Sequence, residues 1–474
     1  MMTVTFDTIP GSIRKPGKYF EFNTRMATRT LPGNPQTLLI IASMLSTAQA
    51  SPLMPLDIYD DDAAAVAFGA GSLAHIMAKA AIDANPYLQL QVIGIEEAAA
   101  GKKASATLTI TAPATRGGTL SLFVCGERLD IPVETADTVS VLNQAVVDIV
   151  NANTHLPVVA ALTGEANGTV TLTARQSGDW GNDIVIDVQS TAKGVTATVT
   201  AMVGGENNVD IQPALDAVFA AGHNIISIPF SDKTSLLKLR THLEKVSGAM
   251  EQRGAIGTAG WTGTLSTGTT LASDINDGRT SIAWYPGSVK LPCQISAAYG
   301  AVIASEEDPA RPLNTLELKG LDIAPVTKRA GRNEQENALH NGLTPLEVGA
   351  GNRVQIVRAI TTYTRNVEGV EDTALLDLTT IRTLDYTRKA CRERISQRFP
   401  RDKLNERTRV KVRSELLDVL IKLEEEEILE NVEENKGLLL VERDGKDPNR
   451  LNAAIPADVV NGLHVFAGRI DLFV

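Results

Sequence analysis

A chain of 474 residues is too long for one compact core and sets an expectation of roughly two to four domains. Its 43% hydrophobic and 21% charged residues are those of an ordinary globular protein, and a net charge of −11 argues against general affinity for nucleic acid. Cys125, Cys293 and Cys391 are its three cysteines, far apart, which excludes a disulfide framework or a CxxC metal site and suits a reducing compartment.

The N-terminal segment lacks the apolar h-region of a signal peptide, and the longest apolar run, near Leu38–Leu45, falls short of the roughly 18–20 residues that span a bilayer. The expectation is a soluble protein made in the cytoplasm, without membrane insertion. Residues 1–35 hold Pro10, Pro16, Pro32 and Pro35 and one strand-like patch, Lys18–Phe22, and read as an extended arm. An α/β texture begins at Thr37. LLIIAS reads as a buried strand, Asp60-Asp61-Asp62 opens an Ala-rich helix with acids suited to its dipole, a second helix follows Ser72, and LQLQVIGI (88–95) returns as a strand.

Residues 97–204 change to short Thr/Val runs of period two (ATLTITA, GTLSLFVCG, GTVTLTA, DIVIDVQ, VTATVTAMV), broken by one helix near Val139–Asn151. This reads as a β-rich domain inserted into the α/β one. The α/β pattern resumes with NIISIPF (224–230), a helix carrying Leu236, Leu239, Leu243 and Val246 on one face, and the strand GAIGTAGW. Ala324–Val348 reads as a polar loop. The C-terminal part opens with a strand over Val354–Tyr363. A helix follows with Ile381, Leu384, Cys391, Ile395 and Phe399 on one face and Arg382, Lys389 and Arg392 on the other, ending at Pro400. A second helix, about 406–430, turns Leu417, Leu420, Ile421 and Ile428 inward. GLLLVERD (437–444) and LHVFAGRIDLFV (463–474) read as strands.

The expected fold class is therefore α+β and multidomain: an N-terminal arm (1–35), a discontinuous α/β middle domain (36–96 and 205–345), the β-rich insert (97–204), a C-terminal α+β domain (346–460) and a terminal arm strand (461–474).

Chemical motifs are sparse. The histidines at 75, 155, 223, 242, 340 and 464 form no HExxH or Cys/His cluster, and neither a GxSxG elbow nor a GxxxxGK[ST] loop occurs. Gly69-Ala70-Gly71-Ser72 reads as a helix-capping turn rather than a dinucleotide loop. Ser12-Ile13-Arg14-Lys15 matches SxxK in a Pro-flanked arm with no core behind it. The residues designate no catalytic, cofactor or metal site.

The strongest local signal is electrostatic. Arg382–Arg413 holds twelve Lys/Arg and four Asp/Glu, whereas Ser414–Glu434 holds nine acids and one lysine. A salt-bridged helix face and a surface for an acidic partner are both open readings. Scarce aromatics, 4% of residues, argue against base stacking and against a membrane-surface helix, and leave an acidic protein as the favoured external partner. Terminal strands with unpaired backbone groups could add to a neighbouring copy by β-augmentation.

IPGSIRKPGKYFEFN (9–23), FGAGSLAHIM (68–77), SGDWGN (177–182) and IVRAITTYTRN followed by DLTTIRTLDYTRKACRERI, in this order, resemble the tail sheath proteins of contractile phages, nearest the Mu-type branch. The resemblance covers nearly the whole chain. It implies a structural, non-enzymatic subunit stacked in hexameric rings around an inner tail tube, contracting to drive the tube through the host envelope. It implies partners in copies of itself, the tail tube protein, and baseplate and tail terminator proteins, with no direct nucleic-acid contact and no cofactor. The place implied is the virion tail, assembled in the host cytoplasm.

By the same resemblance, Arg382, Arg388, Lys389 and Arg392 face the tube. Arm strands around Lys18, Tyr19, Phe20 and Phe22 and around Val465, Phe466, Ile470 and Leu472 add to neighbours' strands at Val354, Ile356, Val357 and Ile360 and at Leu438 and Leu440. The family's middle domain is subtilisin-like, but GTAG (257–260) lacks the serine of a subtilisin motif. A cytosolic α/β hydrolase and a nucleic-acid-binding protein stand as the alternatives.

Overall fold

The computed structural model describes residues 15–20, 31–164 and 168–473. Two compact units divide them: residues 34–386 with 459–473, and residues 387–458 with the described residues before 34.

The larger unit begins with β1 (Thr37–Ser43), β2 (Pro55–Ile58), α1 (Asp61–Phe68), α2 (Leu73–Ala84) and β3 (Gln89–Ile95). β1 is a near-continuous apolar run, and Leu38 through Ala42 are fully buried, as a central parallel strand requires. Asp60 caps α1 by accepting from the Ala63 N–H at 2.7 Å, and Ser72 caps α2 by accepting from the His75 N–H at 3.1 Å. The Gly69–Ser72 segment is thus a turn between helices. Gly71, at φ +77°, also packs so that a Cβ would lie 2.4 Å from the Leu156 carbonyl oxygen, which leaves room for glycine alone.

The expected β-rich insert follows as β4 (Ser105–Thr111), β5 (Gly118–Val124), β6 (Glu127–Val133), α3 (Val139–Ala152), β7 (Val158–Thr163), β8 (Thr169–Ala174), β9 (Ile186–Ser190) and β10 (Thr196–Val199). They form two sheets, ordered β10-β4-β8-β7 and β6-β5-β9. Every strand pair in both is antiparallel.

The chain returns through α4 (Gln212–Ala217), β11 (Ile225–Ser227), α5 (Lys233–Ser247), β12 (Ile256–Trp261), α6 (Leu265–Ile275), β13 (Thr280–Trp284), α7 (Pro292–Ala304), α8 (Arg332–His340), β14 (Thr344–Gly349) and β15 (Arg353–Ile356). One eight-stranded sheet, β15-β14-β13-β12-β11-β1-β3-β2, gathers the α/β strands, parallel except at its two ends. Leu236, Leu239, Leu243 and Val246 of α5 are buried, as their spacing predicts. Gly257 of β12 lies against Leu239 and Leu243, while its neighbour Thr258 donates to the Ser296 carbonyl of α7. Successive strand residues point to opposite faces, so α5 and α7 cover opposite sides of the sheet.

Two expectations change here. The segment 324–348 is not a loop: it holds α8 and β14, whose sequence RNEQENALH buries only Ala338 and so shows no apolar stripe. The α/β sheet also does not stop at 345. β14 pairs in parallel with β13 and β15 pairs with β14, so Val354 and Ile356 belong to this sheet rather than to a separate C-terminal one.

α9 (Leu378–Arg398) contributes its first part to the larger unit and its remainder to the smaller. The smaller unit continues with α10 (Glu406–Glu425), α11 (Val432–Asn435), β16 (Leu440–Arg443) and β17 (Leu451–Ala454), the last two an antiparallel hairpin. The inward stripe of α10 is Val412, Leu416, Val419, Leu420 and Leu423. Leu420 and Ile428 are buried as expected, but Leu417 is only half-buried and Ile421 is 40% exposed. Both stripes of VRSELLDVLIKL are apolar, and packing on β16 selects one of them.

Candidate functional site

Three regions carry the residues that the sequence singles out. The first is the C-terminal segment. His464 is held at its root: the Asn314 side-chain amide donates to Nδ1 at 2.9 Å, and Nε2 lies 3.5 Å from Asp377 Oδ1. Asp377 is itself clamped by Arg358 through two bonds of 2.8 and 2.7 Å. Burial, followed by the Arg358 charge, lowers the His464 pKa against the opposing pull of Asp377, so the ring is neutral near pH 7. Gly462 packs against Pro312, where a Cβ would lie 2.7 Å from the ring.

Beyond this anchor the described chain forms no strand or helix. Val465, Phe466, Ile470, Leu472 and Phe473 are between 78% and 99% exposed. The expected strand is thus absent over the described residues 463–473, because no other strand lies beside it. At the other end Lys18, Tyr19 and Phe20 form no strand either, Phe20 is 88% exposed, and Phe22 lies outside the described residues.

The second region comprises the strands expected to accept arms. Val354 and Ile356 offer no open edge. β14 occupies one side of β15, and on the other Thr315 and Leu318 donate to the Ile356 and Val354 carbonyls, while Ile356 donates to Leu316. Val357 donates to the Pro345 carbonyl and Ile360 to the Thr344 hydroxyl. All four residues named for this role therefore spend backbone groups on their own chain, which corrects the expectation. Leu438 and Leu440 differ: they are 63% and 57% exposed, beside a hairpin with β17 on one side of β16.

The third is the charged helix pair. Arg382 does not face solvent. It is 7% exposed, its guanidinium donates to the Glu306 carbonyl, and burial lowers its pKa to about 10 against the Glu306 charge. Arg388 and Lys389 are half-buried, with Lys389 Nζ donating to the Gly33 carbonyl at 2.8 Å, and Arg392 is exposed. Of the four residues expected on one outward face, Arg382 is thus turned inward by the packing around Glu306. Arg394 reaches Glu415 at 3.2 Å and Asp418 at 2.5 Å with its side chain 4% exposed, and Arg398 lies 3.6 Å from Glu415. The acidic half of the charge block therefore neutralises part of the basic half within one chain.

Asp61, His75 and His155 form the one His/acid cluster with metal-like spacing among the described residues. Its members are far apart in sequence, and no spacing signal announces it. The Gly71 N–H donates to His75 Nδ1 at 3.0 Å, which places the ring proton on Nε2, given to Asp61 at 2.7 Å. With both ring nitrogens so engaged His75 has no lone pair for a metal, and burial further keeps it neutral. The cluster fastens α1 to the turn that opens α2. Thr258 of the GTAG segment is fully buried.

Residues 204–362 match the phage tail sheath protein central domain, and residues 370–473 the phage tail sheath C-terminal domain. The chain is 33% identical over 490 aligned positions to the Mu-like prophage FluMu tail sheath protein of Haemophilus influenzae, covering 99% of both. In fold it is similar to the sheath tail protein of Desulfitobacterium hafniense, with a TM-score of 0.51, 14% identity, and 94% and 97% of the two chains covered. The sheath tail protein Lin1278 of Listeria innocua gives a TM-score of 0.50 at 14% identity, covering 92% and 94%.

Proposed function

The chain belongs to the phage tail sheath family, and from that premise we propose that it is the repeating subunit of stacked hexameric rings around an inner tail tube. It is a structural protein of a contractile tail. The observation that carries the finer reading is the C-terminal segment, anchored at His464 and then exposing five large apolar side chains between residues 465 and 473 with no strand of its own chain beside them. Such a segment is costly to leave in water and ready to add to a sheet of another copy. When two different patches of one subunit join head to tail, the product is a ring or an open helix.

In this reading contraction slides and rotates subunits while the arms keep the lattice connected, and a metastable extended state supplies the energy that drives the tube through the host envelope. Baseplate and terminator proteins bound the polymer, and assembly takes place in the host cytoplasm. Arg388, Lys389 and Arg392 are the tube-facing cations, without Arg382. Negative-stain electron microscopy of the purified chain tests the proposal: rings or tubes support it, and single particles at every concentration oppose it.

A further inference from the structure

Among the described residues β16 has a strand on one side only. The bond from the Asp444 N–H to the Arg450 carbonyl, with the register Leu440 to Ala454, fixes the phase of the hairpin. Leu440 and Glu442 face β17, so the N–H and C=O groups of Leu439, Val441 and Arg443 point the other way. Two cations of α10 occupy that side. Arg409 Nη1 donates to the Val441 carbonyl at 3.1 Å; Arg413 Nε donates to the Leu439 carbonyl at 2.9 Å and Nη2 to that of Lys436 at 2.8 Å. The spacing is matched. Four helical residues advance about 6 Å and two strand residues about 6.7 Å, so guanidiniums on consecutive turns meet alternate carbonyls.

Given the arm exchange proposed above, we propose that Arg409 and Arg413 decide which arm of a neighbouring copy enters this edge, and that they admit the C-terminal one. The inference rests on the sheath reading above. An entering strand must present N–H groups to Val441 and Leu439 and so displace both guanidiniums from β16, leaving Arg409 without its carbonyl and Arg413 with that of Lys436 alone. A cationic strand is repelled there. The N-terminal segment 15–22 carries Lys15, Lys18 and Glu21, a net charge of +1, whereas the arm Leu463–Phe473 carries Arg469 already paired with Asp471 at 2.7 Å, a net charge of zero. Asp471 is also the group that can accept a displaced guanidinium. Exposed Leu440 and Leu438 lie where alternating apolar arm residues such as Ile470 and Leu472 would pack.

The test is fluorescence anisotropy on the full chain, held below its polymerisation concentration, with labelled peptides of residues 463–473 and 15–22. The C-terminal peptide should bind the unmodified chain at least about tenfold more tightly than the N-terminal one. In R409Q/R413Q the basic peptide should gain about tenfold and the preference collapse, whereas R409K/R413K, which keeps the charges, should retain it. On the unmodified chain the preference should shrink as salt rises from 50 to 500 mM, a measurement independent of how either variant folds. A ratio unchanged by both substitution and salt overturns the selecting role while leaving arm exchange intact. Failure of either peptide to bind any form overturns arm exchange at this edge altogether.

Discussion

His464 Nδ1 receives the Asn314 amide at 2.9 Å, and this contact marks where the C-terminal segment stops belonging to its own fold. One residue on, Val465 is 78% exposed, and nothing in the described chain covers the apolar groups after it. In the proposed assembly this anchor sets the direction in which the arm leaves, and so the position at which a neighbour is reached.

Removing the anchor should therefore act on assembly more than on folding. H464A and N314A each delete one side of a half-buried hydrogen bond, a loss of about 1 kcal/mol in stability. Sedimentation velocity should show polymer formation delayed or shifted to higher concentration. Unchanged polymerisation in both variants would mean that the root does not direct the arm.

Arg382 and Arg392 lie on one helix yet should respond oppositely to charge reversal. R382E buries an acid near Glu306 and Asp308 and should cost about 3–5 kcal/mol in urea unfolding. R392E, on an exposed position, should change stability by no more than about 1 kcal/mol, the scale of a surface ion pair. Its effect should appear in co-sedimentation with tubes of the inner tail protein.

The Arg394 guanidinium, 4% exposed between Glu415 and Asp418, predicts a cost of about 3 kcal/mol for R394L, because two acids lose their buried partner. Denaturant midpoints check this, and R394L/D418L should recover part of the loss. A strictly additive double variant would show that the pair is not coupled.

His242 predicts a pH dependence. Burial lowers its pKa to about 4, and His75, His223 and His464 shift in the same direction. The unfolded chain takes up protons at these sites from about pH 6.5 downward while the folded chain does not. The contribution is thus complete above pH 6.5 and is lost progressively as pH falls toward 4. Chemical unfolding at pH 7.5 and 5 should show a smaller difference for H242Q than for the unmodified chain.

Local signals were legible in the sequence where one physical rule decides. The acidic start of α1, the capping turn at Ser72, the α5 stripe and the period-two strands of the insert all form as their patterns require. The charge block was legible as an anomaly but not as a geometry. Arg382, Arg392 and Arg394 are the same residue type on one helix, and only the packing of Glu306 and of α10 tells which is buried, exposed or paired. A polar helix such as α8 buries too little to leave a stripe. The closing of β15 by residues 315–318 depends on a loop that carries no strand pattern, and the Asp61–His75–His155 cluster depends on distant segments meeting. Tertiary contact, not propensity, settled each of these.

Deletion of Leu463–Val474, followed by sedimentation velocity and negative-stain microscopy beside the full chain, tests the central claim most directly. The full chain should form rings or tubes, and the truncated one should remain a folded monomer with an unchanged circular dichroism spectrum. Tubes of normal appearance from the truncated protein would contradict the assignment of this segment as the link between subunits.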